Sequence, residues 1–333
     1  MSPLRTRASI VLALLVAVNG LAWLLAWSSS RLHFLLLGAA WLAYGFGLRH
    51  AVDADHISAI DNTTRRLLQR GKRPLGVGFY FSLGHSTIVI LLCAGLAFAT
   101  AYVQHHLPQW QSIGGIVGTI ISTVFLYLIG GINLYVLWDL VRAYRRKDSQ
   151  PIRAADEDNQ GPQGPLAHIL RPLLRMVEHS WQMYFVGLLF GLGFDTATEV
   201  GILALSAKSG QAGIPFWAIM LLPLLFTAGM CLIDTLDGIL MLRAYGWAFL
   251  EPSRKLGYNI VITAISVGVA FIVGTDEMLG ILTDQHWLRG RLADWINGLS
   301  FDNVGFGIVA LFVLVWAISV FWNRQSNRVE ETA

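Results

Sequence analysis

From Pro74 to Trp138 the chain contains no Asp, Glu, Lys or Arg. A soluble core has no need of so long an uncharged run. Helices that cross a bilayer do need one, at about 20 apolar residues per crossing. The whole chain agrees: 55% of residues are hydrophobic and 14% charged, with a mean hydropathy of +0.56, against roughly 25% charged in soluble domains. This excludes a soluble enzyme, a disordered chain and a nucleic-acid binder. An outer-membrane barrel is excluded too, because its strands alternate apolar and polar residues. Cys93 and Cys231 both lie in apolar stretches and build neither a disulfide framework nor a thiolate metal site.

Read at membrane length, the sequence predicts an all-α integral membrane protein of eight transmembrane helices: Ala8–Trp27, Phe34–Ile57, Val77–Val103, Ile113–Leu140, Met183–Leu205, Ile214–Leu242, Leu256–Val273 and Val304–Trp322. The first is longer than the apolar core of a signal peptide and no A-x-A site follows, so it reads as a retained span. With both termini cytoplasmic, every Lys and Arg except Arg31, Lys208, Arg289 and Arg291 falls on the inner side, as the positive-inside rule requires. In that topology Arg65 and Arg66 sit in a cytoplasmic loop. His105 and His106 sit in an outer one.

The polar, Gly- and Pro-containing stretch Ala154–Pro165 reads as a linker. It divides the chain into a four-span half (1–148), a cytoplasmic linker with an interfacial helix over Leu166–Trp181 (149–182), and a second four-span half (183–333). Phe46-Gly47-Leu48 recurs as Phe190-Gly191-Leu192, and Phe81-x-x-Gly84 as Phe226-x-x-Gly229. These echoes suggest a repeat, and four spans per half, both starting inside, would make it a parallel one.

Ionisable groups stand inside these spans, where each costs about 2.5–3.5 kcal/mol at a helix centre and marks a functional candidate. His50, Asp53, Asp55 and His56 fall in the second span and His85 in the third. Asp195 and Glu199 fall in the fifth, Asp234 and Asp237 in the sixth, and the amide Asn19 in the first. Spacings of three or four residues place His50 with Asp53, Asp53 with His56, Asp195 with Glu199, and Asp234 with Asp237 on shared helix faces. Asp55 points elsewhere on a regular helix, so either the helix unwinds there or Asp55 serves a neighbour. Imidazole with carboxylate suits borderline divalent ions such as nickel, cobalt, zinc or iron, whereas Mg²⁺ and Ca²⁺ prefer all-oxygen shells. The metal ligands expected are His50, Asp53, Asp55, His56 and His85. Asn19, Asp195, Glu199, Asp234 and Asp237 are expected along the transport path or at a second acidic station, with Asn19 tuning metal selectivity.

The run Arg49-His50-Ala51-Val52-Asp53-Ala54-Asp55-His56-Ile57 resembles the His-x4-Asp-His signature of the nickel/cobalt transporter (NiCoT) family. Phe81-Ser-Leu-Gly-His85-Ser, Leu192-Gly-Phe-Asp195-Thr-Ala-Thr-Glu199 and Gly229-Met-Cys-Leu-Ile-Asp234-Thr-Leu-Asp237-Gly238 are similar to its other motifs, in order and across both halves. The resemblance implies high-affinity uptake of Ni²⁺, Co²⁺ or both through an eight-helix permease of the cytoplasmic membrane. The partners are then the divalent ion and the lipid bilayer, with no cofactor and no nucleic acid. No phosphate-binding loop occurs in the chain, and no ATPase subunit is expected. The alternatives weighed are an intramembrane His/Asp metalloenzyme and a metal sensor without transport. The histidine boxes of membrane oxygenases and the His-Glu-x-x-His of metalloproteases are absent from the sequence.

Overall fold

The computed structural model describes residues 3–30, 35–98, 102–146, 177–192, 197–249, 256–285, 287–288, 290, 305–308, 310–311 and 314. Among them all regular structure is helical: α1 (Pro3–Ser30), α2 (Leu35–His50), α3 (Ala54–Gln69), α4 (Val77–Phe98), α5 (Tyr102–Arg146), α6 (Met183–Phe190), α7 (Ala197–Gln211), the single turn α8 (Phe216–Ile219), α9 (Leu221–Phe249) and α10 (Leu256–Asp284). A 3-10 turn, Ser180–Gln182, leads into α6. Among the described residues, five stretches are long and apolar enough to cross a membrane: Thr6–Ser30, Val77–Ala97, Ile116–Arg142, Phe216–Arg243 and Ile260–Thr283. Leu14, Leu24, Trp41, Leu91, Trp138, Phe185 and Ile272 turn outward on these and neighbouring helices, as a surface solvated by lipid tails would require.

Several expected spans take a different form. Phe34–Ile57 is not one helix. α2 stops at His50, residues 51–53 turn, and α3 starts afresh behind Asp53, which adopts φ −67° and ψ 147°. Met183–Leu205 is likewise divided into α6 and α7. α3 continues to Gln69, so Arg65 and Arg66 are buried on a helix and not in a loop. The reason is that Ser58–Leu67 is too polar to face lipid but is covered by protein: Asn62 accepts from Arg65 at 3.1 Å and from Asn133 of α5 at 2.6 Å. Helix α5 begins at Tyr102, which puts the backbone of His105 and His106 on a helix, and α10 runs past Val273 to Asp284. Of the eighth span, the described residues 305–308, 310, 311 and 314 are helical. Residues 147–176, which hold the linker and most of the expected interfacial helix, lie outside the described residues.

Two seams of small residues fix how the halves meet. A Cβ on Gly47 of α2 would collide with the Phe226 carbonyl of α9, and one on Gly229 would stand 3.1 Å from the Tyr44 carbonyl. On the other side, Gly187 of α6 approaches the Phe81 carbonyl of α4, and Gly84 the Tyr184 carbonyl. These contacts are reciprocal: Tyr44, Gly47, Phe226 and Gly229 correspond to Tyr184, Gly187, Phe81 and Gly84. Contact order gives the helix directions. Residues 47, 56 and 60 meet 226, 234 and 238, so α2–α3 and α9 run parallel. Residues 76, 84 and 88 meet 180, 184 and 191, so α4 and α6 run parallel. Gly78 meets Gly238 and Ser82 meets Asp234, so α4 and α9 oppose each other. The unit α2–α3–α4 is therefore repeated upside-down as α6–α7–α9. The parallel repeat suggested by the sequence does not describe this packing, because Gly47 is matched in space by Gly187 and not by Gly191. The breaks α2/α3 and α6/α7 occupy equivalent places and face each other. Apolar clusters lie on either side, one around Phe81, Leu126 and Met183, the other around Leu36, Val89 and Phe226.

Candidate metal centre

The site is built where α2 breaks. The turn is closed by Val52 N donating to Arg49 O at 3.1 Å and Asp53 N to His50 O at 2.9 Å. Asp53 is the N-cap of α3, yet its carboxylate caps nothing. It is committed instead to the Arg49 guanidinium and to His50 Nδ1, at 2.8 Å. A capping Asp is worth about 1 kcal/mol to a helix; here that interaction is given up to hold an imidazole. Arg49 in turn lies over the Phe306 ring, 5.7 Å from its centroid.

Three imidazoles meet in this space, each sealed from solvent. His50 ends α2, His56 occupies the first turn of α3, and His85 comes across from α4. One ligand atom from each lies within 4.8 Å of the others. His50 Nε2 and His85 Nε2 are 3.0 Å apart, and Glu199 Oε1 is 2.9 Å from His85 Nε2 and 3.9 Å from His50 Nε2. Metal–nitrogen bonds of about 2.0–2.1 Å place two donors at right angles about 2.9 Å apart, so these spacings match donors sharing one ion. His56 Nε2 and His85 Nδ1 are buried and have no hydrogen-bond partner among the described residues. Such orphan polar atoms call for a missing ligand.

Carboxylates fix the rings from behind. Asp53 holds His50 Nδ1, and Thr198 Oγ1 of α7 lies 3.2 Å from the same nitrogen. Asp234 Oδ2 of α9 is 3.3 Å from His56 Nδ1 and accepts from Ser82 Oγ at 2.5 Å. An acid on Nδ1 sets the tautomer that leaves Nε2 to bind metal. The close approach of Ser82 to Asp234 depends on Gly78, where a Cβ would collide with the Asp234 backbone. Phe81 packs edge-on to His56 at 4.8 Å and Phe226 lies 5.7 Å from His50, walling the pocket with apolar rings.

The fold thus gathers His50, Asp53, His56, His85, Glu199 and Asp234 into one cluster. Glu199, expected at a separate station with Asp195, stands among the histidines. Asp195 itself lies outside the described residues. Asp55 is half-buried in the first turn of α3, next to His56 in the chain. Asp237 is a turn beyond Asp234 on α9. Asn19 is elsewhere: its amide donates to Leu15 O at 2.8 Å and to Ala228 O of α9 at 3.1 Å. Ser82 and Thr198 were missed as site residues in the sequence. Hydroxyls are common in apolar helices and give no signal of their own.

The family model for the NicO high-affinity nickel-transport proteins matches residues 36–322. The chain belongs to this family. It is 47% identical over 322 residues to a high-affinity nickel transport protein of Cupriavidus necator, covering 95% of this chain and 92% of that one. It is 45% identical over 323 residues to the nickel transporter NixA of Staphylococcus aureus, covering 96% and 94%. The cobalt transport protein NhlF of Rhodococcus rhodochrous is 38% identical over 293 residues, covering 87% and 83%. No solved structure matches. In this NicO chain described residues from all four motif segments converge on the histidines or on the α3–α9 seam beside them.

Proposed function

We propose that this chain is a secondary permease for high-affinity uptake of Ni²⁺, Co²⁺ or both across the cytoplasmic membrane. In this reading it has eight spans, both termini are cytoplasmic, and no ATPase subunit takes part. The observation that carries the proposal is the convergence of His50, His56 and His85 from three helices, with Glu199 beside them, on a buried point between two inverted units. The kinship with proteins named as nickel and cobalt transporters favours transport over a metalloenzyme. A sensor would have no use for an inverted repeat around its metal, whereas rocking of one unit against the other exposes such a point to each side in turn.

The chemistry follows from the donors. Neutral imidazoles replace the water shell of a borderline divalent ion, and Glu199 offsets part of its charge in a low-dielectric interior. Inward movement is favoured by about 2.3 kcal/mol per charge per 100 mV, hence about twice that for a divalent ion. The test is uptake of radiolabelled Ni²⁺ and Co²⁺ by a host stripped of its own importers. The wild-type chain accumulates at least one ion from limiting medium, and His85→Ala, present in the membrane at normal level, does not. Uptake by His85→Ala equal to wild type would remove the histidines from the path.

A further inference from the structure

We infer that Arg49 gates the histidine centre: seated on Asp53 and against the Phe306 ring, its guanidinium bars the divalent ion's passage between the surface and His50. The inference rests on the permease reading and adds a residue that controls its path. The three imidazoles, Glu199 and Asp234 are buried, as are Phe81 and Phe226. The turn that joins α2 to α3 is not. Residues 52–55 are half-buried, and the side chains of Arg49 and Asp53 are 30% and 17% exposed. Asp53 links that edge to the centre. One of its oxygens lies 2.8 Å from His50 Nδ1, and the other accepts from Arg49 Nη1. An ion arriving along this edge therefore meets a carboxylate whose charge is already offset, with a fixed positive charge beside it.

The guanidinium is also held by the helical residues 305–308. Gly305 seats this segment on the turn: a Cβ there would collide with the Val52 carbonyl and stand 3.2 Å from Ile57 Cδ1. That close approach brings the Phe306 ring centroid to 5.7 Å from the Arg49 guanidinium carbon, within reach of a cation–π attraction. Phe306 is itself half exposed. A partly exposed ion pair and a single cation–π contact are each weak, so the guanidinium can leave Asp53 and return, as a gate must. Its charge has the sign a cation gate needs, because it repels a divalent ion until it moves aside.

Rapid mixing of the purified full-length chain with Ni²⁺, followed through the colour of a nickel indicator, measures entry and release separately. Arg49→Gln removes both the plug and its charge, so association should be about tenfold faster than in wild type, or more. Phe306→Leu keeps every charge but frees the guanidinium. Entry and release should then both be about threefold faster, with Kd unchanged. Association at the wild-type rate in Arg49→Gln, or a Kd weakened there by faster release alone, would make Arg49 a brace for Asp53 and overturn the gate. Wild-type rates in Phe306→Leu would overturn it as well. A wild-type chain that takes up no Ni²⁺ would instead overturn the histidine site, so the two failures are distinguishable.

Discussion

Each imidazole at the centre has a different supporting residue, and substitutions should separate those roles. Glu199 Oε1 lies among the Nε2 atoms, so Glu199→Gln removes charge at the ion itself. The expected result is a KM for uptake raised about tenfold or more, the equivalent of about 1.4 kcal/mol. An unchanged KM would remove Glu199 from the donor set. Asn19 provides the contrast. Its amide nitrogen is engaged with the α9 backbone, an interhelical bond worth about 0.6 kcal/mol on average in membranes. Asn19→Ala should therefore lower nickel and cobalt uptake together, with their ratio unchanged in a competition assay. A shifted ratio would restore Asn19 as the tuner of selectivity expected from the sequence. His50, His56 and His85 were legible in the sequence because ionisable groups are conspicuous in an apolar helix. The convergence of Glu199 on His85 was not, since more than a hundred residues separate them and only the packing of α7 on α4 joins them.

At the level of elements, the broken helix is the feature that makes the site. On an unbroken helix His50 and His56 would stand six residues apart on diverging faces. The turn at 51–53 brings their ring centroids to 4.5 Å. The sequence offered this break as one explanation for Asp55, which on a regular helix would point away from the face shared by His50, Asp53 and His56. The extent of α3 was hidden, because a helix carrying Asp61, Asn62, Arg65 and Arg66 does not read as buried until its protein partners are known. Gly78 shows how closely the elements must approach. Gly78→Val places a Cβ against the Asp234 backbone, whereas Gly38→Ala meets nothing within 4 Å. Thermal unfolding should show a loss of about 1–3 kcal/mol for Gly78→Val, with metal binding weakened, and wild-type behaviour for Gly38→Ala. Equal stability of the two variants would mean that α4 and α9 do not pack as described.

For the molecule as a whole, the inverted pair of units accounts for the position of the site. Both helix breaks lie at the pseudo-symmetric centre, where the first turns of α3 and α7 carry Asp55, His56 and Glu199. Short sequence echoes hinted at duplication, and four spans per half implied a parallel sense, but direction is a property of packing. The central claim is that three imidazoles from three helices hold the transported ion together. Nickel K-edge X-ray absorption of the loaded full-length chain, with dialysis confirming one tight ion, tests it most directly. The outer-shell imidazole scattering should fit three rings in wild type and two in His85→Ala, with no sulfur in the first shell. A shell fitted by oxygen donors alone, or imidazole scattering that does not change in His85→Ala, would contradict the account.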